Sequence, residues 1–168
     1  MTLYPNVHLK NVTEITLELL HKNQINALIL DVDNTLIDYD KNLQPGIIEW
    51  AQKLKANNIK LYILSNTNKK EKVQTVAEKL KIEYMYFAKK PLKTGFKKVQ
   101  VKLQEKPENI AVVGDQIFTD ILGGNRCKMF TILVEPIAEK DIWITMIKRP
   151  IENLIKKKYH ENLEKGSK

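Results

Sequence analysis

Apolar residues along the chain fall into short continuous runs, each of which breaks off abruptly into polar residues. Four are Ala27 to Leu30 before Asp31, Leu61 to Leu64 before Ser65, Tyr84 to Phe87 before Lys89-Lys90, and Ile110 to Val113 before Gly114-Asp115. A fifth, Phe130 to Val134, runs into Glu135-Pro136. Continuous rather than alternating hydrophobicity marks strands buried on both faces of a parallel sheet. Between the runs, apolar residues recur at helical spacing. The stripes are Ile47, Ile48, Ala51 and Leu54 after Pro45, then Val73, Val76, Ala77 and Leu80, then Phe96, Val99, Val101 and Leu103. Alternation of strand and helix predicts an α/β fold, a three-layer Rossmann-like sandwich around a parallel sheet of about five strands. Ligands of such sheets collect outside the carboxyl ends of the strands, which makes the residues ending each run the first candidates for chemistry.

Outside these units, Val12, Ile15, Leu19 and Leu20 predict an N-terminal helix. Trp143, Ile147, Ile151, Leu154 and Ile155 predict a C-terminal helical stripe interrupted at Pro150. The expectation is one domain over residues 1–168, with 156–168 a frayed basic tail. Its 168 residues, 43% apolar and 29% charged, suit an ordinary globular domain with a full core. No apolar run approaches the ~20 residues that a membrane-spanning helix requires. Met1 to Asn6 lacks the basic start, apolar run and cleavage site of a secretory signal. With Cys127 alone no internal disulfide can form, so a reducing, cytoplasmic setting is expected.

The net charge of +8 is unevenly spread. Residues 1–51 and 107–147 are net acidic, whereas residues 52–106 carry fifteen Lys against four Glu and residues 148–168 are again basic. A site where acidic and basic segments converge suits a cation together with an anionic substrate, although scattered lysines also make ordinary solvated faces.

Asp31-Val32-Asp33-Asn34-Thr35 leaves the first of the five runs with two carboxylates one residue apart. Alone, Asp-x-Asp suits a turn or helix cap equally well. Three further run ends add Ser65-Asn66-Thr67, then Lys90-Pro91, then Gly114-Asp115 with Asp120 five residues on. Together these offer carboxylates for a divalent cation, a hydroxyl and an ammonium for a phosphoryl group, and a free carboxylate able to act as nucleophile. Hard Mg²⁺ accepts such oxygen ligands. With the cation and Lys90 beside the phosphoryl oxygens, attack by Asp31 on a phosphate monoester escapes charge repulsion. Asp33 then serves to protonate the leaving alkoxide and to take a proton from water.

This set, in this order, resembles the haloacid dehalogenase superfamily of aspartyl-phosphate phosphatases. The resemblance implies that Asp31 is the nucleophile and Asp33 the acid/base. Ser65 is then the phosphoryl-binding hydroxyl with Asn66 a neighbouring substrate contact, Lys90 the charge-compensating lysine, and Asp115 the second metal carboxylate. The Asp33 carbonyl completes the Mg²⁺ ligands, and Asp120 assists from behind them. A closer resemblance runs from about Pro5 to Glu152. It is carried by Leu30 to Leu36, Ala88-Lys89-Lys90-Pro91, Gly114 to Arg126 and Ile132 to Ile137. These stretches are similar to the bacterial YqeG family of subclass IIIA phosphatases, related to phosphatidylglycerophosphate phosphatases. Ser65-Asn66-Thr67 departs from the Ser-Asn-Asn usual there but keeps the hydroxyl. The short spacings from Asp33 to Ser65 and from Ser65 to Lys90 leave no room for a cap domain, so an open site is expected.

The resemblance implies a phosphate monoester substrate, phosphatidylglycerophosphate first, with soluble sugar phosphates, nucleotides or phosphoproteins as alternatives. Lys148, Arg149 and Lys156 to Lys158 beside the C-terminal stripe suggest reversible contact with anionic lipids at the inner membrane surface. A phospho-accepting signalling receiver uses similar groups, but its motif order differs. A basic nucleic-acid-binding module would need a stacking platform or binding motif, which the sequence lacks, so no nucleic-acid partner is expected. His8, His21, His160 and Cys127 read as packing or surface residues, Gly123-Gly124 as close helix packing or a phosphate approach, and Arg126 as a substrate contact or an ion-pair partner.

Overall fold

Each of the five apolar runs contributes a strand, the third only through Tyr84 and Met85 because Tyr86 and Phe87 leave the sheet, and a sixth strand joins them. The computed structural model describes residues 3–137 and 143–165. In chain order the strands are β1 (Val7–Leu9), β2 (Ala27–Leu30), β3 (Lys60–Leu64), β4 (Glu83–Met85), β5 (Ile110–Gly114) and β6 (Phe130–Val134). They form one parallel sheet in the order β1-β6-β5-β2-β3-β4. The added strand is β1, whose His8 lies opposite Leu133 of β6. Three residues with a histidine at the centre are too short and too mixed to register as an apolar run.

The continuous runs are explained by burial on both sides. Leu28 and Leu30 of β2 pack into one apolar layer and Ala27 and Ile29 into the other. The first layer is closed by α2 (Ile47–Ala56) and α3 (Lys70–Leu80), the second by α4 (Lys93–Leu103) with α5 (Leu122–Arg126) beside it. Fully burying each such side chain contributes roughly 1.5–3 kcal/mol relative to exposure, which is what fixes each helix to its face. Val101, counted in the α4 stripe by spacing, is 76% exposed, while Phe96, Val99 and Leu103 are buried. α5 approaches closely because Gly123 has no side chain: a Cβ there would lie 2.3 Å from the Phe96 ring. Gly123-Gly124 therefore serves packing.

The N-terminal helix of the sequence reading is two pieces. A single turn at Val12–Glu14 is separated from α1 (Leu17–Lys22) by extended Ile15, and Thr16 caps α1 by accepting from the Leu19 N–H at 3.1 Å. Trp50 Nε1 donates to the Ile15 carbonyl at 2.9 Å and ties this segment to α2.

α6 (Trp143–Lys165) continues through Pro150, where an interruption was expected, and through much of 156–168, expected as a frayed tail. Proline removes one rung of the helical hydrogen bonding, and the remaining rungs carry the helix past it. Ile155 packs beside Ile117, Ile121 and Leu133, while Leu154 is 65% exposed. The expected stripe residues Trp143, Ile147 and Ile151, with Lys148 and Arg149, have side chains outside the described residues. Among the described residues no helix is long and apolar enough to cross a membrane. The β2 to β3 connection holds a loop and α2, and the β3 to β4 connection holds α3, so neither inserts a cap over the carboxyl end of the sheet.

Candidate active site

Parallel register brings the strand ends together. Leu30 lies opposite Ile63 of β3 and Val113 of β5, so the residues one or two steps beyond, Asp31, Ser65 and Asp115, converge at one edge of the sheet. The Asp31 N–H still donates to the Val113 carbonyl at 2.9 Å, which fixes its Cα as firmly as a strand residue. Asp31, Ser65, Lys90, Asp115 and Asp120 are all buried.

Lys90 reaches this edge from the loop after β4. The Ala88 N–H donates to the Ser65 carbonyl at 2.9 Å, and Asn66 clamps the next turn. Its Oδ1 accepts from the Lys90 N–H at 2.6 Å and its Nδ2 donates to the Lys90 carbonyl at 2.9 Å. Asn66, expected to touch substrate, therefore has both ends of its amide engaged in positioning Lys90. The Lys90 ammonium donates to Asp31 Oδ1 at 2.7 Å and to Asp120 Oδ1 at 2.6 Å. Ser65 Oγ accepts from the Thr67 N–H at 3.3 Å, leaving its own proton available.

Asp120 is brought in by a wide turn at Ile117–Ile121 after β5. Its Oδ2 accepts from the Gln116 N–H at 3.3 Å. The carboxylate fits because Gly114 leaves space: a Cβ on Gly114 would fall 2.2 Å from Asp120 Oδ2 and 2.7 Å from Asp120 Cβ. Asp115 Oδ1 accepts from the Thr35 hydroxyl at 3.3 Å. Asp33 stands apart from this cluster, with its side chain 45% exposed and ion-paired to Lys72 of α3.

Three buried carboxylates face one ammonium, so full ionisation leaves two negative charges in excess. Burial pushes Asp31 up to about 7, with Lys90 opposing the rise and Asp120 adding to it. Asp115 is raised by burial and then by Asp31 and Asp120. For Lys90, burial favours the neutral amine, but Asp120 and Asp31 outweigh it and hold the ammonium above its ordinary range. Ligand oxygens of Asp31, Asp115 and Asp120 lie within 4.8 Å of one another. A divalent cation among them removes the excess charge, and the all-oxygen donor set suits a hard ion. The resemblance put the Asp33 carbonyl in the metal set and Asp120 behind it; Asp120 lies close enough to Asp31 and Asp115 to join their carboxylate cluster, with its two oxygens accepting from Lys90 and from the Gln116 N–H.

Sequence reading missed Thr35, Lys72 and the role of Gly114. Thr35 stood inside the Asp31-to-Thr35 motif, a signal that was available. Lys72 is a helix lysine like many others, and only the fold shows that it meets Asp33. Arg126 donates from Nη1 to the Pro91 carbonyl at 3.5 Å, a weak contact that fastens the loop after Lys90.

The order in which this sandwich brings its acidic cluster and buried lysine to the carboxyl ends of the central strands is that of phosphatases of the haloacid dehalogenase type, which hydrolyse phosphoric monoesters. The family described as mitochondrial PGP phosphatase matches residues 1–138, and the chain belongs to it. It is 40% identical over 152 residues to the probable phosphatase YqeG of Bacillus subtilis, covering 90% of this chain and 88% of that one. It is 27% identical over 172 residues to phosphatidylglycerophosphate phosphatase 1, chloroplastic/mitochondrial, of Arabidopsis thaliana, covering 95% of this chain and 49% of the plant protein. Among solved structures, the cobalt-bound deoxy-D-mannose-octulosonate 8-phosphate phosphatase of Haemophilus influenzae superposes with a TM-score of 0.57 at 17% identity. That match covers 73% of this chain and 74% of the other and shows the shared fold.

Proposed function

We propose that the protein is a Mg²⁺-dependent phosphatase that removes the terminal phosphate of phosphatidylglycerophosphate through an aspartyl-phosphate on Asp31. The observation that carries this reading is the buried contact of Lys90 with both Asp31 and Asp120 at the edge of the sheet. The family description and the name of the plant relative support the lipid substrate. A site without a cap suits a phosphate presented from a bilayer.

Asp31, Asp115 and the Asp33 carbonyl are the groups that would hold Mg²⁺, with the Asp120 carboxylate beside them, and the ion would supply positive charge for the approach of an anionic phosphate. The Lys90 ammonium and the Ser65 hydroxyl bind phosphoryl oxygens and orient the phosphorus in front of Asp31. A carboxylate oxygen of Asp31 attacks phosphorus as the bond to the ester oxygen breaks, and Asp33 gives its proton to the departing alkoxide. Water then attacks the phosphorus of the acyl phosphate, Asp33 takes the proton, and Asp31 is released as carboxylate. The Lys72 contact occupies Asp33 before substrate arrives, so it must open for Asp33 to reach the departing alkoxide.

The test is phosphate release with Mg²⁺ from phosphatidylglycerophosphate in mixed micelles, set against sugar phosphates, nucleotides and phosphopeptides. The lipid is expected to have the highest kcat/KM, with activity lost in chelator and restored by Mg²⁺. Faster turnover of a soluble ester would remove the lipid assignment, and turnover in chelator would remove the cation.

A further inference from the structure

The loop that delivers Lys90 inverts the usual pattern of burial. Ala88 and Lys90 are inside, while Phe87 is 56%, Leu92 51% and Tyr86 39% exposed. Large side chains in water forfeit the stabilisation their burial would bring, and clustered exposure of this kind marks a surface for another body. The backbone fixes the arrangement, because the Phe87 N–H donates to the Thr67 carbonyl at 2.8 Å and thereby seats the ring beside the Ser65 loop, on the rim of the site.

The charge around these side chains is of one sign. From Tyr84 to Gln104 the chain has six Lys and no Asp or Glu. The Lys89 ammonium lies 5.1 Å from the Phe87 ring centre, exposed Lys93 follows Leu92, and exposed Lys69 and Lys70 stand where the adjoining loop enters α3. Glu71 comes next on that side. Tyr39, also exposed, is flanked by Asp38 and Asp40 and lies outside the basic surface.

We propose that the Tyr86–Lys93 loop is the face by which the protein docks on an anionic lipid bilayer, with Phe87 and Leu92 entering the headgroup region and the lysines meeting lipid phosphates. This rests on the reading of the substrate as a lipid phosphate. An acidic protein would match the lysines too, but seated on this rim it would cover the opening through which substrate reaches Lys90. Of the C-terminal surface suggested by sequence, Ile155 packs inward and Lys156 is ion-paired with Glu135 at 3.1 Å, Lys157 and Lys158 are exposed, and Trp143, Ile147, Lys148, Arg149 and Ile151 have side chains outside the described residues.

Sedimentation with phosphatidylglycerol-rich and with pure phosphatidylcholine vesicles tests the proposal. The wild type is expected to pellet with the first at low salt and to stay in solution with the second. The Phe87→Ser/Leu92→Ser variant should bind about tenfold more weakly, with unchanged hydrolysis of para-nitrophenyl phosphate and an unchanged circular dichroism spectrum. In a second measurement, brominated phosphatidylglycerol should quench the added emission of Phe87→Trp but not that of Val101→Trp on α4. Equal pelleting of wild type and double variant, equal quenching of the two tryptophans, or no binding of the wild type overturns the docking face. Docking without cleavage of phosphatidylglycerophosphate would leave the face standing and reject the substrate.

Discussion

At the scale of single residues, function depends on how one ammonium is shared. Lys90 neutralises part of the charge of Asp31 and Asp120, and its removal leaves buried carboxylates facing one another. Breaking such a contact costs about 3–5 kcal/mol of stability. Lys90→Ala is therefore expected to lower the thermal midpoint and to lose activity that saturating Mg²⁺ does not restore; full rescue by Mg²⁺ would contradict its role at the phosphoryl group. Gly114→Ala places a methyl group where the Asp120 carboxylate now lies. It should lower kcat by about 100-fold or more, while circular dichroism shows the sheet intact; near-normal kcat would mean that Asp120 is not needed in its present position. The meeting of Asp31, Ser65, Lys90 and Asp115 at one edge was legible in sequence because each follows an apolar run, and a strand end in a parallel sheet is a known place in space. The clamp of Asn66 on Lys90, the Lys72 contact with Asp33 and the fit of Asp120 against Gly114 were not. Each is a meeting of loops whose approach only the folded chain determines.

At the scale of elements, the outer edge of the sheet is fastened by α6. His8 of β1 shares a 2.9 Å hydrogen bond with His160, contacts Glu135 through its other nitrogen, and Lys156 closes on the same Glu135. Tyr159 stacks on Tyr4 and donates to the Asn6 carbonyl at 3.1 Å. Burial lowers His8 below its ordinary value despite the opposing pull of Glu135. For Glu135 burial works upward, but Lys156 and His8 hold the carboxyl below its usual range. Both folded values lie below the unfolded ones, so acid favours the unfolded chain. The His8 contribution is present above pH 6.5 and begins to fall away as pH drops through that value, and the Glu135 contribution falls away below about 4.5. Asp31 and Asp115, raised by burial, work the other way over the same range, so the test is a difference: from pH 7.5 to 5.5 the urea midpoint of the wild type should lose ground relative to that of His8→Gln, and a parallel course of the two would contradict the His8 contribution. The edge was illegible in sequence because β1 is too short to show a period and its partner in α6 lies some 150 residues away. The central strands and α2, α3 and α4 were legible because each buries a regular stripe.

At the scale of the whole molecule, the uneven charge has a structural meaning. The acidic N-terminal segment and the residues after β5 contribute the carboxylates at the centre of the site, and the basic segment supplies Lys90 and the lysines of the rim. An anionic substrate thus meets a basic surface with an acidic centre, which a divalent cation held there would make passable. The account stands on Asp31 as the group that takes up phosphate. In Asp33→Asn the group assigned to activate water is gone, so an acyl phosphate should persist when it is formed from an ester whose leaving group needs no proton. The direct test is acid quenching of Asp33→Asn with Mg²⁺ and para-nitrophenyl phosphate labelled in its phosphate, whose nitrophenolate departs without a proton, followed by peptide mapping. The account predicts a hydroxylamine-sensitive label on the peptide containing Asp31, absent when Asp31→Asn is added. Label on another residue, or phosphate release that survives Asp31→Asn, would contradict it.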